Sequence, residues 1–111
     1  NRMGEGQFVE SSLTNGLISM MAFLSAEYFA TGKVPDRTGN NHPIVAPYGL
    51  FKASDGAIAV APSNDIFVER FLDAVELRYL LNESRFRTND DRMINRSELI
   101  KIIDRQTEKK T

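Results

Sequence analysis

The dipeptide Asp55-Gly56 stands between two runs rich in apolar residues, 48–54 and 57–61, and no other stretch narrows the folding of this chain so sharply. Asp-Gly flanked in this way predicts a β-hairpin with a two-residue type I′ turn, because both turn positions take positive φ, which glycine accepts freely and aspartate tolerates. A turn at Asp55-Gly56 pairs Ala53 with Ile58 and Phe51 with Val60, so four apolar side chains share one face, and that face should be a core face. A two-stranded ribbon alone is marginal in water. Helices must therefore cover it.

Helices are predicted on both sides. After Pro62, Ser63 or Asn64 is placed to cap a helix running to about Glu76, with Ile66, Phe67, Phe71 and Val75 on one side. Residues 77–81 read as a short continuation, and Thr88 or Asn89 caps a last helix with Met93, Ile94, Leu99, Ile102 and Ile103 as its stripe. Upstream, residues 7–11 alternate as a short strand at best, and Ser11, Ser12 or Thr14 can cap a helix ending at Thr31, with Gly32 as a left-handed stop. Residues 17–24 of that helix are apolar nearly all round. A membrane span needs ~20 consecutive apolar residues, and Ser25 and Glu27 interrupt this run well short of that, so a core helix is expected. The rest of the chain is too short to cover it, which calls for another domain or a second subunit.

Between these parts, residues 33–47 hold Pro35, Pro43 and Pro47 together with Gly39-Asn40-Asn41, a composition that excludes regular structure and reads as an extended connector. Arg2-Met3-Gly4 resembles a last helical turn without its helix, and Glu108-Lys109-Lys110-Thr111 a charged helix tail without a stop, so an excised piece of a longer protein is expected. The fold class expected is α+β, an antiparallel β-hairpin or small sheet packed with helices and preceded by a long apolar helix.

Charge and composition exclude several functions. Fourteen basic and fifteen acidic residues leave a net charge of -1, which builds no field for nucleic acid. With no cysteine and one histidine, disulfides and thiolate chemistry are out and a structural zinc site is not expected. The first residues lack the pattern of a signal peptide, which points to a reducing, cytoplasmic compartment. No nucleophile, base and orienting acid assemble from one His and scattered Ser. His42 could bind a ligand or act as a base, but a lone loop histidine is more often a hydrogen-bonding residue. Gly4-Glu5-Gly6 lacks the following helix of a phosphate loop and reads as a turn. The Asp90-Asp91-Arg92 and Arg96-Ser97-Glu98 clusters alternate in sign and read as a solvated helix face, and Asn64-Asp65 first of all as a cap.

In order, Gly4-Glu5-Gly6-Gln7, Gly39-Asn40-Asn41-His42-Pro43, Ala46-Pro47-Tyr48-Gly49, Asp55-Gly56 and Asn64-Asp65 form a series, followed by Arg85-Phe86, Arg92 and Asn95-Arg96. This series resembles the middle of a family III CoA-transferase, the group named for L-carnitine dehydratase and bile-acid-inducible protein F. The resemblance implies that residues 1–31 end a large-domain segment to which the apolar helix belongs, that 32–47 are linker and active-site loop, and that 48–111 are a small domain. It implies transfer of CoA between carboxylic acids through an aspartyl anhydride and thioester, with acyl-CoA and carboxylic acid as substrates, no other cofactor, and an interlocked homodimer. The catalytic aspartate is implied to lie upstream, so this chain supplies no catalytic residue and would be inactive alone as scaffold and lid. Asn40, Asn41, His42, Tyr48, Asn64 and Asp65 are implied to border the substrate. The alternatives are an acyl-CoA racemase relative or a free-standing interaction module that docks through its apolar helix.

Overall fold

The computed structural model of the protein describes Gly4 and residues 6–110. The helix end expected at Arg2-Met3 and Glu5 of the Gly-x-Gly-Gln turn lie outside the described residues. The chain divides into two compact units, Asn1–Asp36 and Arg37–Thr111.

The first unit holds α1 (Leu13–Met20) and α2 (Ala22–Thr31). Residues 7–11 form no strand, since the only strands that pair among the described residues lie in the second unit. Ser12 caps α1 by accepting the Asn15 N–H, and α2 ends at Gly32, whose φ of 69° supplies the left-handed stop expected there. The single long apolar helix is replaced by two. At Met21 (φ -85°, ψ 11°) the chain leaves helical geometry, and its N–H is shared between the carbonyls of Leu17 and Ile18, the tight closure of a helix end. Neither helix contains a buried residue: Leu17 is 63% and Phe29 82% exposed. No packing straightens the run into one rod, and α1–α2 supply length without a core of their own.

The second unit is an antiparallel ribbon of β1 (Gly49–Ala53) and β2 (Gly56–Val60) with α3 (Asp65–Ala74), two 3-10 turns (Arg78–Asn82 and Ser84–Phe86), α4 (Asn89–Ile94) and α5 (Arg96–Thr107). The class is α+β. The hairpin exists, but its turn is Ser54-Asp55: Phe51 pairs with Ile58 and Ala53 with Gly56. A turn at Asp55-Gly56 would need the Ser54 N–H for its closing pair with Ala57. That N–H is instead donated to the Lys110 carbonyl at 3.0 Å, and the Lys52 N–H goes to Asp104 on α5 at 2.9 Å. Tertiary contacts thus claim the donor that the expected register required. Partners slide by two residues, which preserves the faces, so Phe51, Ala53, Ile58 and Val60 still share a side. Phe51 is buried and Val60 packs against the core, while Ile58 stays partly open.

The core joins Phe51 to Val68, Leu72, Val75, Leu77, Leu80, Phe86, Leu99 and Ile103. Its face on α3 matches the expected one at Val75, which is buried, and at Phe71, which packs against the core, but Ile66 and Phe67 are exposed and Val68 and Leu72 are buried instead. The winning stripe continues past the helix end. Glu76 takes φ 62°, and the Leu77 N–H reaches back to the Leu72 carbonyl while the Glu76 N–H reaches Asp73, a Schellman closure that drives Leu77 and Leu80 inward. The last helix is also divided. Thr88 and Asp91 form a capping box on α4, which stops at Ile94, and α5 starts at Arg96 with Leu99 and Ile103 buried.

Candidate functional site

Residues 37–48 are irregular, as their prolines and glycine require, yet they are extensively tied. Gly39 turns the chain at φ 60°, and Thr38 accepts from both the backbone and the side-chain amide of Asn41. The His42 N–H donates to the Tyr48 carbonyl at 3.1 Å, closing a loop whose two rings lie 4.7 Å apart. Inside it, His42 Nδ1 accepts the Ile44 N–H. Gly49 follows, and a Cβ there would stand 2.7 Å from the Asn40 carbonyl oxygen and 2.8 Å from Asn41 Oδ1, so only glycine lets strand and loop meet this closely. Ala46 and Pro47, joined by a cis peptide bond, are buried.

Three side chains at the start of the last helical pair, Asn89, Arg92 and Arg96, hold this backbone. Asn89 and Arg92, three residues apart on α4, share a side of that helix, and Arg96 opens α5. Asn89 works in both directions, accepting the Ala46 N–H at 3.2 Å and donating to the Ile44 carbonyl at 2.9 Å. Arg92 is 1% exposed, and its guanidinium donates to the carbonyls of Ala46 (2.7 Å), Phe86 and Arg87 and to the carboxylate of Asp65 (2.5 Å). Arg96 donates to the carbonyls of His42 and Pro43, and burial lowers its pKa from the ordinary arginine value. The Asp91 carboxyl is held below the usual carboxylate range by hydrogen bonds from the Thr88 hydroxyl and N–H, which secures the helix start that carries the three.

Beside the loop lies a hollow of about 190 Å3 lined by Val45, Ser63, Asn64, Asp65, Val68, Asn89 and Arg92. Asn64 caps α3 by accepting the Phe67 N–H at 3.1 Å, and the Asp65 side chain, 77% exposed, bridges to Arg92. Of the residues singled out in the sequence, Asn40, Asn41, His42 and Tyr48 therefore gather on the tied loop, and Asn64 and Asp65 on the wall of the hollow. Among the described residues, no three His, Asp or Glu side chains converge as a metal would need. Arg92 and Arg96 were read as members of a solvated charged face, and the structure corrects this: their charges serve backbone carbonyls. The available signal was the 89, 92, 96 spacing, opposite an irregular segment whose carbonyls needed donors.

The model of CoA-transferase family III matches residues 1–111. The chain belongs to that family. It is 31% identical to acetyl-CoA:oxalate CoA-transferase of Acetobacter aceti over 97% of this chain and 28% of that protein. It is also 31% identical to succinyl-CoA:glutarate CoA-transferase of Homo sapiens, over 96% of this chain and 24% of that protein. A crystal structure of a CaiB/BaiF family protein from Brucella suis matches with a TM-score of 0.70 and 32% identity, over 99% of this chain and 29% of that one. The chain thus spans about a quarter of the length of these relatives. Among the described residues, no helix of this family III member is long and apolar enough to cross a membrane.

Proposed function

We propose that this chain is the small domain and adjoining segments of a family III CoA-transferase that moves CoA between two carboxylic acids. Residues 1–31 belong to a large-domain segment, 32–47 to the linker and active-site loop, and 48–111 to the small domain. In this reading an aspartate outside the chain attacks the acyl-CoA carbonyl and expels CoA thiolate, leaving a mixed anhydride. The thiolate then attacks the aspartyl carbonyl, forming an aspartyl thioester and releasing the donor as a carboxylate. The acceptor carboxylate repeats the two steps in reverse order, ending in a new acyl-CoA and free aspartate.

Asn40, Asn41, His42 and Tyr48 border the acyl group, and Asn64 and Asp65 flank it. Supporting this is the family match over the whole chain, together with a loop whose backbone is held by Asn89, Arg92 and Arg96 and so can present side chains in a set arrangement. The working protein is a cytoplasmic homodimer, and the exposed apolar α1 and α2 are covered by the large domain or the partner.

The test is thioester exchange by the complete protein. Acetyl-CoA or succinyl-CoA is supplied with oxalate, glutarate or mesaconate, acids named in its relatives. A new acyl-CoA should form as the donor carboxylate is released, one for one. Inversion of an α-carbon without any acceptor would instead identify a racemase relative, and no acyl-CoA chemistry at all would favour an interaction module built on α1 and α2.

A further inference from the structure

Residues 42–46 are not a free cover. Their carbonyls at His42, Pro43, Ile44 and Ala46 and their N–H groups at His42, Ile44 and Ala46 all have partners, and most of these come from Asn89, Arg92 and Arg96. An irregular segment of five residues would otherwise have to meet this demand from water or regular pairing. Here side chains from α4 and the first residue of α5 define the path of a backbone, which a hinged lid would not need.

We infer that Asn89 and Arg96 are positioning residues for CoA transfer, with Arg92 as the buried anchor between them. They set the place of Asn40, Asn41, His42 and Tyr48 through the loop backbone. The inference rests on the proposed transferase reading and deepens it. Asn89 grips the loop at its end nearest the hollow, by a paired donor and acceptor, and Arg96 grips it at His42. Loss of either grip lets the loop shift while the core of Phe51, Leu72, Leu99 and Ile103 stays intact. Displacements on the order of 1 Å at a reacting centre cost about a hundredfold in rate. A loosened loop also admits water to the acyl intermediates.

The experiment compares Asn89→Asp, Arg96→Met and Arg96→Lys in the complete protein, with Lys101→Ala on an exposed part of α5 as control. An aspartate at 89 keeps the acceptor for the Ala46 N–H and suits a helix start, but has no donor for Ile44. Asn89→Asp and Arg96→Met should stay cooperatively folded with at most a modest drop in melting temperature, exchange the Ile44 amide faster, lose about ten- to a hundredfold in kcat with KM little changed, and raise the ratio of acyl-CoA hydrolysis to transfer. Arg96→Lys should recover part of both, since an ammonium can still reach the His42 carbonyl. Unchanged kcat and unchanged hydrolysis ratio in folded Asn89→Asp would overturn the inference while leaving the transferase reading in place. Absence of transfer by the parent protein with every acceptor would overturn the reading, and the positioning role with it. If Arg96→Met fails to fold, Asn89→Asp decides alone.

Discussion

Arg92 offers the sharpest test of how this unit is held together. Its guanidinium makes four hydrogen bonds from a site 1% exposed, three to backbone carbonyls and one to a carboxylate. Arg92→Lys keeps the charge but offers one nitrogen in place of a planar fork; since Nη1 alone serves both Phe86 and Arg87, a single nitrogen can still reach that pair, while the Ala46 carbonyl, which Nε serves, loses its donor. A buried acceptor left unpaired costs about 1–3 kcal/mol, which sets the scale of the loss. Set against the roughly 5–15 kcal/mol of a typical domain, this is a sizeable fraction of the stability. Asp65→Asn removes the other half of the ion pair, yet its side chain is 77% exposed, so screening limits the loss to about 1 kcal/mol or less. Guanidinium chloride unfolding followed by circular dichroism, with equal slopes required for comparison, reads both. If Arg92→Lys unfolded within about 0.5 kcal/mol of the parent, or Asp65→Asn cost as much as Arg92→Lys, the carbonyls would not be what the arginine serves.

Three further outcomes are expected. Gly49→Ala places a Cβ 2.7 Å from the Asn40 carbonyl and should destabilise by about 1–3 kcal/mol while loosening the loop, seen as faster exchange of the His42 amide. Asp91 has a lowered pKa, so the stability from its capping box is present above its unfolded pKa and lost as pH falls through the folded value; the melting difference between parent and Asp91→Asn should therefore be full at neutral pH and shrink only in acid below the usual carboxylate range. Glu76→Gly removes a left-handed glutamate and also its exposed ion pair with Lys110, and the backbone gain should prevail as a higher melting temperature; a lower one would mean that the Lys110 contact matters more than the φ of 62°.

The elements that local chemistry decides were legible in the sequence. Asn64 and Thr88 cap helices where their side chains predicted, Gly32 stops one, and a hairpin surrounds Asp55. What tertiary contact decides was not. The turn moved to Ser54-Asp55 because Lys110, far along the chain, takes the Ser54 N–H. The α3 face rotated toward Val68 and Leu72 because Glu76 carries the chain into Leu77 and Leu80. The apolar run read as one helix breaks at Met21, and nothing in a uniformly apolar sequence marks that point. At the candidate site, the loop residues Asn40, Asn41, His42 and Tyr48 stood out through the motif series, while Asn89 read as a helix cap and Arg92 and Arg96 as part of a solvated charged face. A charged side chain at helical spacing looks the same whether it faces water or carbonyls across a gap of about fifty residues in sequence.

Covalent capture tests the proposed chemistry most directly. The complete protein, mixed with acyl-CoA in the absence of acceptor, quenched in acid and digested, should carry CoA as a thioester on one aspartate outside residues 1–111, and adding a carboxylate acceptor should discharge it as a new acyl-CoA. A protein that turns over acyl-CoA with no such adduct, or with the adduct on an aspartate within this chain, would contradict the assignment of these residues to the small domain, loop and scaffold of a family III CoA-transferase.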